Sequence, residues 1–241
     1  MGNRFIPSVQ DVARYRALRS LGMELTHKIV KTIPSRAFDD IGATLGLLRD
    51  GVLVFESMEL SSVMMDCCLY DWFENGVNVV QRYARAHPAK PGSGEEYLLA
   101  AYLQAKYRIL VTDSPVAGAG IHCRDILNGE DLFLMDVGLS GVDGATPSAF
   151  ATRTIPLGEY CMTGGAGLPI SSKDSVLEAL SGIDTGEHRS LEGPGAVPLV
   201  IVRSCLRAGA AANLRYQDIE AAPAARPRRR IFPSIVKRRR K

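Results

Sequence analysis

The sequence has no uninterrupted apolar run near the roughly 18 residues that a bilayer-spanning helix needs, so no transmembrane segment is expected. The opening residues, Met1-Gly-Asn-Arg-Phe-Ile-Pro7, lead into no signal-peptide core, and Ile6 stands where a myristoylation motif requires Ser or Thr. Cys67, Cys68, Cys123, Cys161 and Cys205 are odd in number and lack Cys-x-x-Cys spacing, which argues against a disulfide framework or a zinc ribbon. Buried reduced thiols in a cytoplasmic protein are the expectation. His27, His87, His122 and His188 are scattered and share no ligand spacing with the cysteines, so neither a metal nor a cofactor is expected. No internal repeat of fixed period stands out.

Acid is absent from one region in particular. Residues 226–241 hold nine of the 29 Lys and Arg and none of the 26 Asp and Glu, which leaves 20 basic against 26 acidic residues in 1–225, a net charge of −6. The body is mildly acidic and the tail alone makes the chain basic. Arg226, Arg228, Arg229 and Arg230, then Lys237, Arg238, Arg239, Arg240 and Lys241, flank an apolar stretch, Ile231 to Val236. Like charges at this density resist compaction, so residues 222–241 are expected to form a flexible, disordered tail. Against phosphates such a tail gains affinity by releasing counterions, which points to nucleic acid or a ribonucleoprotein, or another anionic partner. The rival role is a solubilising tail; against a membrane, the apolar stretch would insert between the basic blocks.

What remains is ordinary for a globular protein: 46% hydrophobic and 23% charged residues. Helical spacing predicts an amphipathic helix after Ser8-Val-Gln-Asp11, with Val12, Tyr15, Leu18, Met23, Leu25, Ile29 and Val30 on its apolar face. A second helix is expected from Ser35 to a glycine stop at Asp50-Gly51, a third from Glu59 to Trp72 stopped by Glu74-Asn75-Gly76, and a fourth from Val77 to Ala86. Val52 to Phe55 reads as extended. His87 to Gly94, rich in Pro and Gly, is the candidate linker between a helical module, 1–88, and a β module, 94–221. In the latter, helices are expected at 97–106, 172–180 and 196–212.

Between 107 and 163 the pattern changes to short β-rich segments broken by turns. Tyr107 to Thr112 reads as a strand ending at Asp113-Ser-Pro115. Gly120 to Leu127 and Glu130 to Met135 form a hairpin through Asn128-Gly129, expected in a type I′ turn, and Phe150 to Ile155 pairs with Glu159 to Thr163 through Pro156-Leu-Gly158. The fold class predicted is α+β: a helical module packed on a small antiparallel sheet or partly open barrel, followed by C-terminal helices.

Within this stretch Tyr107-Arg-Ile-Leu110, Gly120-Ile121, Arg124-Asp-Ile-Leu127 with Gly129-Glu130, Ala151-Thr-Arg153 and Ile155-Pro156 resemble the β segment of uncharacterised bacterial proteins, some of which carry a SecA-C-type zinc tail. This chain has no cysteine-rich tail of that kind. The resemblance implies a fold fragment and no activity.

Catalytic motifs are lacking. His122-Cys123 cannot serve as base and nucleophile on one strand, because neighbours point to opposite faces. Ala117 to Gly120 and Gly164 to Gly167 lack the setting of a phosphate loop and read as turns. Asp66, Asp136 and Asp143 match no calcium-loop spacing and read as solvated acids. Two functions remain: a non-enzymatic binding or adaptor protein using the basic tail, or a small enzyme with a pocket between the helical and β modules. For the second, His122, Arg124, Asp113 and Asp125 are the pocket candidates.

Overall fold

A computed structural model describes residues 4–55, 57–140, 149–170, 181 and 195–210. The expected helix at 172–180, Asp143 and the basic tail lie outside the described residues.

Helix α1, Val9–Val30, starts from a reciprocal cap: the Ser8 hydroxyl accepts from the Asp11 amide at 3.2 Å while the Ser8 amide donates to the Asp11 carboxylate at 2.8 Å. It buries Tyr15, Leu18, Gly22, Leu25 and Ile29. Met23, expected on this face, is 63% exposed, because the 3.6-residue period aims Gly22 rather than Met23 at the core. Gly22 lets α1 approach the Tyr102 hydroxyl, which donates to the Gly22 carbonyl at 3.1 Å.

Helix α2, Ser35–Leu45, ends earlier than expected, at Gly46 in the left-handed region (φ 75°). The two sequence stops further on are hairpin turns. Asp50 and Gly51 (φ 51° and 76°) join β1, Leu48–Arg49, to β2, Val52–Leu53; Asn75 and Gly76 (φ 54° and 75°) join β3, Phe73–Glu74, to β4, Val77–Asn78. Two consecutive positive φ values match the twist of a two-residue hairpin, and Asp-Gly and Asn-Gly adopt them readily. Between the hairpins lies α3, Met58–Tyr70, capped by Ser57; after them come α4, Val79–Ala86, with an Asn78/Gln81 capping box, and α5, Gly94–Tyr102, capped by Ser93.

Five longer strands close into a barrel: β5, Lys106–Val116; β6, Gly120–Asp125; β7, Asp131–Met135; β8, Ala149–Pro156; and β9, Cys161–Ile170, in the order β5-β6-β7-β9-β8. The α+β class holds, and the barrel is complete. Closure comes from β5 pairing with both β6 and β8, and from a parallel contact of β7 with β9 at Leu134↔Cys161 and Met135↔Met162. This parallel pair departs from the all-antiparallel expectation.

The expected strand ends also shift. β5 runs through Asp113-Ser-Pro115 by bulging between Thr112 and Ser114. Gly164 to Gly167 belong to β9, where a register shift opposes the segment to Thr152–Thr154. The turn after β6 is not type I′: Asn128 keeps negative φ, and the Gly129 amide closes on the Asp125 carbonyl at 2.8 Å.

Strand alternation sorts the barrel's side chains. Leu110, Ile121, Cys123, Leu134 and Phe150 fill its interior. Tyr107, Ile109, Phe133, Met135, Ala149 and Ala151 face outward and join one continuous core with the helices, including Leu25, Ile29, Leu98 and Cys67. Fully buried large side chains such as Ile109, Met135, Leu25 and Ile29 contribute about 1.5–3 kcal/mol each. Helix α6, Ala196–Arg207, adds Leu199, Ile201, Val202 and Cys205 to that core, with Pro198 tolerated in its first turn.

Candidate functional site

The four pocket candidates do not converge. On β6, His122 and Arg124 share one face and Asp125 lies on the other. Asp125 is fully buried: its carboxylate accepts from Arg108 Nη1 at 2.5 Å, from the Leu127 amide at 3.0 Å and from Asn128 Nδ2 at 2.7 Å. Arg108 reaches on to Glu130 at 2.6 Å and to the Thr154 hydroxyl at 3.0 Å. Asp125 is therefore the clamp that shapes the β6–β7 turn. Arg124 pairs with Asp131 at 3.1 Å on the surface, and Asp113, in the β5 bulge, pairs with Arg4. His122 packs edge-on against Phe133, ring centroids 4.9 Å apart; burial, then Arg4, lowers its pKa, while Asp113 opposes the shift. Cys123 points into the barrel, as expected, and burial pushes its thiol up to about 12.

The charged centre that sequence reading misses lies where α3 meets the barrel. Arg153 projects from the outer face of β8 and is 3% exposed. Its Nε and Nη2 donate to Oδ2 of Asp66 at 3.0 and 2.9 Å, and Nη2 also donates to Asp71. Asp66 comes from the buried face of α3 and Asp71 from that helix's C-cap. The rings of Tyr70 and Tyr107 take the guanidinium, with centroids 4.6 and 5.1 Å from its carbon. Asp66 is thus not the solvated acid expected. Asp136 is not one either: it accepts from the Gly138 and Leu139 amides, both at 3.1 Å, and from the Thr163 hydroxyl at 3.2 Å.

Two carboxylates share one cation here. Burial raises both acids, Asp71 to about 7, although Arg153 pulls them down; at Asp71 the neighbouring Asp66 raises it further. Burial likewise holds the phenols of Tyr70 and Tyr107 and the thiol of Cys67 far above their usual range, so all three stay protonated.

Glycine lets the backbone come this close. A Cβ on Gly164 would stand 3.0 Å from Arg153 Cβ and 3.1 Å from Asp66 Oδ1, and one on Gly195, ahead of α6, would stand 2.1 Å from the Asp71 carbonyl oxygen. One sequence signal did exist. Arg153 sits in a strand whose neighbours are apolar or Thr, and a charge buried on both sides requires a partner.

Beside the ion cluster is a hollow of about 310 Å³ lined by Tyr70, Asp71, Asn78, Lys106, Tyr107 and Arg153, among others. A larger groove of about 540 Å³ runs between α1, α3 and β9, past Arg19, His27, Met58 and Thr163. Arg19, His27 and Glu59 line the larger groove, and Asp71, Lys106 and Arg153 line the smaller. Among the described residues no three His, Cys, Asp or Glu side chains gather to hold a metal, and no helix is long and apolar enough to cross a membrane.

No curated protein and no solved structure matches the chain. Residues 9–178, which hold α1 to α5 and the whole barrel with its ion cluster, match a family of unknown function, DUF7986. That match covers well over half of the sequence, and the chain belongs to this family.

Proposed function

We propose that the protein is a non-enzymatic binding or adaptor protein of the cytoplasm, whose tail attaches it electrostatically to nucleic acid or a ribonucleoprotein. The observation that carries this is the segregation of charge: nine cations and no acid in residues 226–241, against a body of net charge −6. Further support comes from Asp125, Arg124 and Asp113, whose charges are engaged by Arg108, Asp131 and Arg4 rather than aimed at a common point.

The test is binding of the full chain and of a variant with Arg226, Arg228, Arg229, Arg230, Lys237, Arg238, Arg239, Arg240 and Lys241 changed to Gln, titrated against salt. With all nine cations on duplex phosphates, log K against log salt should fall with a slope of up to about −8. The variant should lose both the affinity and the slope. Equal binding by both proteins, or none by the full chain, would remove the tail from the function. A second reading, a small enzyme, draws support from the hollow between α3 and the barrel, which Asp71, Lys106 and Arg153 line.

A further inference from the structure

The segment ahead of α1 lies across the outer face of the barrel. Arg4 Nη1 donates to the Ser114 hydroxyl at 3.3 Å and Nη2 donates to the Asp113 carboxylate, both acceptors at the β5 bulge. Phe5 packs on Phe133 of β7 and on Tyr160, between β8 and β9, with ring centroids 5.3 and 5.9 Å apart. These anchors belong to one band. Ser114 stands opposite His122 in the β5–β6 ladder, and His122 stands opposite Phe133 in the β6–β7 ladder, its ring edge-on to that of Phe133.

Residues 4–7 cover this band without being woven into it. Among the described residues no backbone hydrogen bond ties them to the barrel, so the hold comes from the side chains of Arg4 and Phe5. Arg4 and Asp113 are both exposed, and ion pairs in water hold weakly. Ile6 points away, 81% exposed. The ring beneath Phe5, Phe133, is only 2% exposed. The face therefore reads one cation and one aromatic ring, and it does so through side chains that another chain can equally present.

We propose that this band, from Asp113 and Ser114 past His122 to Phe133 and Tyr160, is a docking groove for a peptide segment of a partner protein that carries an Arg beside an aromatic residue, and that Arg4-Phe5 is its built-in occupant. The partner's guanidinium takes the place of Arg4 on Asp113, and its ring takes the place of Phe5 on Phe133. Charge favours a peptide over nucleic acid here. Once Arg4 lifts away, Asp113 and the exposed Glu159 are left without a cation at the groove, because Arg124 is committed to Asp131, and phosphates meet acids. The built-in segment competes from a high effective concentration, so the groove opens to partners that bind tightly or to a chain whose segment is loosened. This surface lies on the barrel and stands apart from the basic tail.

The experiment is fluorescence anisotropy of a labelled peptide with the sequence of residues 3–8, Asn-Arg-Phe-Ile-Pro-Ser, titrated with full-length protein. The full-length Arg4→Ala/Phe5→Ala variant, its groove vacated, should bind the peptide saturably and at least about tenfold more tightly than the native chain does. Arg4→Ala alone removes only exposed contacts, so the fold stays and the affinity should fall between the two. Adding Asp113→Asn to the double variant should weaken binding about two- to fivefold. A peptide with Glu for its Arg and Ala for its Phe, and single-stranded oligothymidylate, serve as controls. No saturable binding by either Arg4→Ala or the double variant, equal binding by the native chain and the variants, equal binding of the altered peptide, or preference for the oligonucleotide would overturn the proposal. The variant with the nine tail cations changed to Gln should bind the peptide as the native chain does, so this outcome is read independently of nucleic-acid binding by the tail.

Discussion

Arg153 Nη2 donates to Asp66 Oδ2 at 2.9 Å across 87 residues of sequence, and this contact fastens the helical half of the chain to the barrel. The same nitrogen donates to Asp71, so α3 is held near its middle and at its end by one strand residue.

Arg153→Ala leaves two buried acids without their cation. Such a loss costs about 3–5 kcal/mol where the remaining charges stay ionised. Urea denaturation should show the larger loss at about pH 8 and a smaller one at about pH 5, where the acids protonate. Equal losses at both would mean that the acids are not ionised in the folded protein.

Asp71 gives stability a pH dependence of defined sign. Its folded pKa, about 7, lies above the ordinary carboxylate value of 3.8, so folded protein holds a proton that unfolded chain releases. The stabilisation is fully present below the ordinary value and is lost as pH rises through the folded one. Asp71→Asn should flatten the fall in unfolding free energy between about pH 5 and pH 8 relative to the native chain. An unchanged slope would contradict the assignment.

Two acids on neighbouring strands should differ sharply. Asp125→Ala abandons Arg108, the Asn128 side chain and the Leu127 amide inside the barrel end, and a cost of about 3–5 kcal/mol is expected. Asp131→Ala breaks an exposed pair with Arg124 and should cost about 0–1 kcal/mol. Chemical denaturation of both variants measures the contrast, and comparable losses would show that Asp125 is not a clamp.

Gly164 and Gly120 test how closely the barrel is packed. A Cβ on Gly164 presses on Arg153 and Asp66, both fixed by the ion cluster, and overpacking of this kind costs about 1–3 kcal/mol. A Cβ on Gly120 would stand 2.2 Å from the Leu134 carbonyl oxygen, and backbone yields less than a side chain, so Gly120→Ala should be the more damaging. Thermal unfolding ranks the two, and the reverse order would mean that β6 and β7 move apart readily.

Much of the architecture is local and was legible. Ser8 with Asp11 announces α1, and the β-branched run at Tyr107 announces β5, because caps and strand propensities act over a few residues. Asp50-Gly51 and Asn75-Gly76 have the residues of helix stops, yet both make hairpins. A dipeptide that accepts positive φ fixes a reversal, not the structure on either side of it.

By itself the sequence determined the α+β class, the switch from helical to strand period near residue 106, the opposite facing of His122 and Cys123, and the charge imbalance between body and tail. Tertiary structure alone decided that the barrel closes, that β7 and β9 run parallel, that Asp125 serves Arg108, and that Asp66, Asp71 and Arg153 meet beside a hollow. The reason is range: periodicity and capping are written in residues a turn apart, whereas an ion cluster is a coincidence in space of side chains whose sequence separation carries no signal.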